Sequence, residues 1–201
     1  MRTKTPFLPE KMLDAAGRLF GARRFHEVRM EDIATEAEVS KGTLYRYFQD
    51  KEEMYLALLE RSSHQLVAEL RARVGKAVGG RARLIAVVDS VITFFDQQPH
   101  LFDLIQRAEI GHTQGRAFPW QEVRDKGMRI VLEIFADAKN SGEFAVREPG
   151  TAMLMLLGGM RAVIRAGERP RPRGLAERLV DDFLNGAAAL VDKKRIARSA
   201  S

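Results

Sequence analysis

The 201-residue sequence has no cysteine. That absence removes disulfides, iron–sulfur clusters, thiolate zinc sites and cysteine nucleophiles in one step. Histidine is scarce: the four, at positions 26, 64, 100 and 112, include no pair at i,i+3 or i,i+4. A helical histidine metal site is therefore not expected, and no metal is assigned. No run reaches the 18 or so apolar residues that a membrane helix needs. The nearest approach, residues 151–160, is bounded by Glu148 and Arg161. Residues 1–9 lack the apolar stretch of a secretory signal, so the expected location is the cytoplasm, away from membranes. Gly-x-Ser-x-Gly and phosphate-binding glycine loops are absent as well. Carboxylates such as Asp89, Asp96, Asp103 and Glu109 are scattered along ordinary helix faces. The chain is expected not to be an enzyme and to need no cofactor.

What remains is an ordinary globular balance, 45% hydrophobic and 30% charged residues, long enough to bury a core in one or two domains. The net charge of +6 is unevenly spread: residues 161–201 carry ten basic against five acidic side chains. Such an excess permits a polyanionic partner without proving one. Strand-like alternation is scarce, and apolar residues recur at helical spacing nearly throughout. Met12, Leu13, Ala16, Leu19 and Phe20 form one stripe behind Pro9, a residue suited to a first helical turn. Short helices fit residues 31–36 and 41–47, the second capped by Ser40. Asp50-Lys51-Glu52-Glu53 has the form of a capping box opening a long helix to about Val74. Five more helices fit residues 81–97, 99–110, 119–140, 149–166 and 174–193. The expected fold is all-α, about nine helices.

Residues 31–51 read EDIATEAEVSKGTLYRYFQDK. Two short helices flank a tight turn at Ala37-Glu38-Val39-Ser40, the outline of a helix-turn-helix whose second helix enters the major groove of DNA. Ile33, Ala34, Val39, Leu44 and Phe48 are spaced to make its small core. Lys41, Gly42, Thr43, Tyr45, Arg46 and Tyr47 are left for an outer face. Gly42 lets backbone approach DNA; Thr43 can meet base or phosphate; Lys41 and Lys51 can neutralise phosphates; tyrosine hydroxyls can bond them.

Phe20, Gly21, Phe25, EDIA, AEVSKGTLYRYF and DKEEMYLALLE together resemble the DNA-binding domain of TetR-family transcriptional regulators, over about residues 10–60. The resemblance implies a three-helix DNA-binding domain at 1–50 and a helical ligand-binding and dimerisation domain at 51–201. It implies Arg29, Ser40, Lys41, Gly42, Thr43, Tyr45, Arg46, Tyr47 and Lys51 as the DNA-facing set. Two departures stand out. Glu38 occupies a position that commonly holds glycine; if that position is left-handed, a side chain there costs roughly 1–2 kcal/mol, and a slightly shifted turn is expected. Val28-Arg29 replaces the usual hydroxyl pair, and Arg29 is a substitute phosphate contact.

The resemblance also implies a cavity among the fifth to eighth helices. Apolar candidates to line it are Val88, Ile92, Phe95, Phe102, Ile105, Trp120, Met128 and Met153, although an ordinary core explains most of them equally well. Arg107, Glu109, His112, Gln114 and Arg116 read as surface groups. Leu175, Leu179, Phe183, Ala187 and Leu190 make a terminal apolar stripe, and Gly158, Gly159, Ala162 and Ala166 would let another helix approach closely. Family likeness turns this into a homodimer interface, with Gly158, Ala162, Leu179, Phe183, Ala187 and Leu190 as its candidates. The function so implied is a homodimeric repressor that binds a palindromic operator on double-stranded DNA. A small, largely apolar effector would release it; the alternatives are a DNA-binding regulator without a small-molecule inducer, controlled by a protein partner, and a DNA-independent helical dimer.

Overall fold

The structure, a computed structural model, describes residues 7–99, 101–102, 105 and 121–185. Among them run eight α-helices and one short 3-10 turn. They are α1 (Leu8–Ala22), the 3-10 turn (Phe25–Glu27), α2 (Met30–Glu36), α3 (Lys41–Tyr47), α4 (Lys51–Lys76) and α5 (Gly80–Gln97). Then come α6 (Gln121–Asn140), α7 (Pro149–Ala166) and α8 (Leu175–Asn185). The helix expected over 99–110 falls largely outside the described residues; Pro99, Leu101, Phe102 and Ile105 are helical. The chain divides into two compact units, one within Met1–Glu69 and Thr93–Met128, the other within Leu70–Ile92 and Arg129–Ser201.

In the first unit, α1 buries Met12, Leu13, Ala15, Ala16 and Phe20, the spacing of one helix face. These pack with Ile33, Ala34, Leu44, Phe48, Met54, Tyr55 and Leu58. Phe20, Phe25 and Tyr55 form an aromatic trio with centroids 4.6–5.6 Å apart. Truncating a ring as buried as Phe20 costs about 3–5 kcal/mol. Four of the five expected core residues of the helix-turn-helix are buried, and Val39 is partly so. Ion pairs on the rim tie α1 to its neighbours in the unit: Arg18 to Glu36 at 2.8 Å, Lys11 to Glu38 at 2.6 Å, and Arg61 of α4 to Asp14 at 2.8 Å.

The second unit draws on Leu70 and Val74 of α4, Leu84, Val87 and Val88 of α5, and Ile130, Val131, Ile134 and Phe135 of α6. Met153, Leu156, Met160 and Ile164 of α7 and Ala176 and Val180 of α8 complete it. Glu143 accepts from the N–H groups of Gly80 (2.7 Å) and Arg81 (3.1 Å), closing the N-terminus of α5. Those two N–H groups hold its carboxyl below the usual glutamate range. Gly80 is required there, because a Cβ would lie 2.9 Å from both Ala138 and Phe144. Arg81 grips Asp181 through Nε and an Nη at 2.7 and 2.8 Å. Arg171 turns back from the proline-rich connector and donates to the Val163 and Ile164 carbonyls at 2.8 and 3.1 Å, satisfying the last turn of α7.

Candidate nucleic-acid interface

The turn between α2 and α3 is built from backbone hydrogen bonds. Val39 N–H donates to the Ala34 carbonyl at 2.9 Å, and Glu38 N–H to the Thr35 carbonyl at 3.0 Å. This pair is a Schellman motif, whose closing residue is left-handed. Glu38 is that residue, with φ of 52°. The turn has not shifted to spare it. The backbone geometry that sets the angle between the two helices is kept, and the side-chain strain is accepted. Its carboxylate pairs with Lys11, which holds it below the usual glutamate range.

Ser40 caps α3, its Oγ accepting from Thr43 N–H at 3.1 Å and lying 2.7 Å from Thr43 Oγ1. The cap orients the first turn of α3, and with it Lys41, Gly42 and Thr43. Lys41, Gly42, Tyr45 and Arg46 are exposed, and Thr43 is half-buried. A Cβ on Gly42 would meet nothing within 4 Å, so no part of this chain requires a glycine there. Lys41 forms an ion pair with Glu31 of α2, which raises the lysine pKa and lowers that of the glutamate. The Lys41 ammonium is 5.8 Å from the Tyr45 ring centroid, and the Arg46 guanidinium 5.5 Å from that of Tyr47. Arg29 is exposed at the N-cap of α2, and its backbone N–H donates to Asp32 at 3.1 Å.

Two members of the expected set are placed differently. Tyr47 is half-buried against the helix-turn-helix core with its hydroxyl oxygen enclosed. Lys51 points back into the protein. Its ammonium donates to the carbonyls of Phe25 (2.6 Å) and Val28 (2.9 Å) and sits 4.3 Å from the Phe25 ring centroid. The α4 capping box is present with a change of register. Asp50 accepts from Glu53 N–H at 2.7 Å, but Glu53 reaches Gln49 N–H rather than that of Asp50, at 2.6 Å.

The apolar candidates divide between the units. Val88, Ile92 and Met153 are buried in the second. Phe95 and Phe102 are buried in the first, their rings 5.2 Å apart, with Ile105 and Met128 half-buried. Trp120, Ala187 and Leu190 lie outside the described residues, as do Arg107, Glu109, His112, Gln114 and Arg116. Ser90 of α5 is fully buried, and its hydroxyl has no hydrogen-bond partner among the described residues. Gly158 and Ala162 are exposed on α7, while Leu179 and Phe183 of α8 are half-buried, Phe183 against Phe135 at 5.7 Å. Leu154 and Met155, not singled out from the sequence, are 59% and 65% exposed on α7. The signal was present: they precede Gly158 and Gly159 by one helical turn. Among the described residues no cluster of three or more acidic, histidine or cysteine residues could hold a metal, and no helix is long and apolar enough to cross a membrane.

The profile of bacterial regulatory proteins of the tetR family matches residues 12–58, from α1 through the first turns of α4. The transcriptional activator FasR of Mycolicibacterium smegmatis is 36% identical over 95 residues, 47% of this chain and 43% of that protein. The chain thus matches under half the length of such relatives. The fatty acid degradation regulator FadR of Bacillus halodurans superposes over 94% of this chain and 100% of that one, with a TM-score of 0.76 and 20% identity. FadR from Bacillus subtilis, in complex with stearoyl-CoA, does so over 88% and 98%, with a TM-score of 0.70 and 18% identity. At those identities the superpositions speak for the fold. The match across residues 12–58 shows in this chain the helix-turn-helix region of bacterial regulatory proteins of the tetR family.

Proposed function

We propose that this protein is a DNA-binding transcriptional regulator, acting as a homodimer on a palindromic operator and released by a small, largely apolar effector. The observation that carries the DNA-binding reading is the outer face of α3. Lys41, Tyr45 and Arg46 are exposed around a Gly42 whose open Cβ position serves nothing within the chain. Glycine near a helix start costs stability relative to alanine, so its use points to something outside that comes close. Homodimerisation has parallel support on α7, where added Cβ atoms on Gly158 and Gly159 would also meet nothing within 4 Å. Leu154 and Met155 stand exposed beside them. A two-fold dimer asks for half-sites about 34–36 Å apart, or a multiple of that.

The effector reading rests on the apolar interior around α5, on the unpartnered Ser90 hydroxyl within it, and on the stearoyl-CoA bound by the structurally similar FadR of Bacillus subtilis. A long acyl chain is the effector class we favour. α4 contributes to both compact units, as do α5 and α6, and it alone of the three starts at the helix-turn-helix, so it is the element through which we propose that a bound effector acts. A coupling of about 1–3 kcal/mol would weaken operator binding about 5–150-fold. Repression is the primary reading. The activator role in the name of the Mycolicibacterium smegmatis relative favours a second one, in which the same occupancy raises transcription.

The test is selection of binding duplexes from a randomised pool, with a Tyr45→Ala, Arg46→Ala variant alongside. A palindrome enriched by the wild type and lost in the variant supports the reading, and a reporter carrying that palindrome separates repression from activation. Stearoyl-CoA should then release the duplex in fluorescence anisotropy. No enrichment at low salt would overturn DNA binding, and tight effector binding without any change in operator affinity would overturn the switch.

A further inference from the structure

Lys51 is the first residue of α4, where the helix dipole disfavours a cation. Its position next to the DNA-binding helices suggests a phosphate contact, yet two of its three N–H donors are spent inside the protein. They go to the carbonyls of Phe25 and Val28, at 2.6 and 2.9 Å. The Phe25 ring lies 4.3 Å away and covers the ammonium on a further side. Those two carbonyls flank the 3-10 turn that links α1 to α2. The Val28 carbonyl belongs to the peptide unit that continues into Arg29, the N-cap of α2. One ammonium therefore joins the start of α4 to the linker 23–26 residues earlier. An ion grips two carbonyls more strongly than a neutral donor would, and the linker it holds sets where α2 begins.

Resting on the DNA-binding reading of α3, we propose that Lys51 is a positioning residue. It clamps the α1–α2 linker so that Arg29 and the helix-turn-helix are presented to DNA in register, and it makes no phosphate contact itself. The two roles leave different signatures. Removing one phosphate-neutralising cation from a B-DNA complex makes the slope of log K against log salt shallower by about 0.9. Releasing a clamp costs no contact of Lys51's own, only the Arg29 contact that it positions, so the slope losses of Lys51 and Arg29 variants do not add, whereas two independent phosphate contacts would add. Releasing the clamp also makes Arg29 redundant, because an arginine that is no longer placed has nothing left to lose.

The experiment uses the full chain and the operator selected from the randomised pool, with Lys51→Met, Arg29→Ala and the double variant. Affinity is measured across a salt series, at a temperature well below each variant's unfolding midpoint. The expected result for Lys51→Met is a loss of about tenfold, the scale of hydrogen bonds to a charged group, with a slope flattened no further than in Arg29→Ala. Arg29→Ala should flatten the slope by about 0.9, and the double variant should bind no worse than Lys51→Met and show no further flattening. A double variant whose affinity or slope losses are additive, or an undiminished affinity for Lys51→Met, would each overturn the proposal while leaving the DNA-binding reading intact. A wild type that selects no duplex would overturn both. Should Lys51→Met fail to fold, nitrogen-15 NMR of the wild-type lysine ammonium groups decides instead. The Lys51 signal should be protected from exchange and unmoved by operator; a signal that shifts onto a phosphate refutes the clamp.

Discussion

Gly42 on α3 and Gly158 on α7 are alike in one respect and opposite in another. Each lies within a helix, where glycine is less favourable than alanine by roughly 0.5–1 kcal/mol. Each would accept a Cβ without touching anything among the described residues. Gly80 is the contrast, since a Cβ there would run into Ala138 and Phe144. The difference between the first two lies in their surroundings. Gly42 is set among exposed Lys41, Tyr45 and Arg46, whose charges and hydroxyl suit water or a polyanion. Gly158 follows Leu154 and Met155, more than half exposed, which suit another apolar surface. On the proposed function, the same unneeded glycine marks two kinds of close approach, one to nucleic acid and one to protein.

The comparison is broken most severely at α7. Leu154→Glu combined with Met155→Glu should leave the monomer fold intact, because both side chains already face solvent in the single chain. The dimer should be lost in sedimentation experiments. Operator affinity should then fall by about 100-fold or more, since two linked half-site interactions become one. An intact dimer would remove this face from the interface. Next in size is Gly42→Ala. Open space around the Cβ means the helix gains, so the thermal midpoint should hold or rise while operator affinity drops about tenfold. Equal affinity would mean that no nucleic-acid backbone or base comes close to Gly42.

The helix-turn-helix was legible because its determinants are local. Apolar residues at helical spacing, the Ser40 cap and the Asp50–Glu53 pair all act within a turn or two of themselves. Four of five core positions followed from that spacing. Lys51 was not legible, because its direction is decided by carbonyls 23 and 26 residues away across the fold. The half-burial of Tyr47 was not legible for a related reason: on a seven-residue helix, the boundary between inner and outer face depends on how the rest of the core packs against it. The exposure of Leu154 and Met155 was hidden by composition. Residues 152–160 of α7 are apolar or small at every position, so periodicity names no single inward face. The proposed effector site stayed diffuse because any helical core is apolar; among the described residues of the second unit, the buried Ser90 hydroxyl is what stands out.

A smaller effect tests how firmly the turn geometry is fixed. Glu38 holds a left-handed conformation that glycine adopts without strain. Glu38→Gly should raise the thermal midpoint by a few degrees, roughly what relief of about 1 kcal/mol gives a domain of this size. Operator affinity should stay the same, since the Schellman hydrogen bonds already set the helix–helix angle. A fall in affinity would show that the Lys11 ion pair, and not the backbone, holds the turn.

The smallest expected effect concerns Lys41, an exposed cation of α3 whose ammonium is already paired with a carboxylate, that of Glu31. A phosphate must compete with that carboxylate for it. Because Lys41 lowers the Glu31 pKa, the pair is fully formed at neutral pH. It loosens only as the pH falls through that lowered value, below the ordinary glutamate range. Glu31→Gln at pH 7 should therefore release Lys41 and tighten operator binding about two- to fivefold, the modest scale of a surface pair. The gain should shrink as salt screens it. Removing a negative charge near DNA would raise affinity even if Lys41 never touched a phosphate, so the single variant does not discriminate. Adding Lys41→Met does. If the freed ammonium is responsible, the gain vanishes in the double variant; if long-range charge is responsible, it persists, and Lys41 leaves the DNA-facing set.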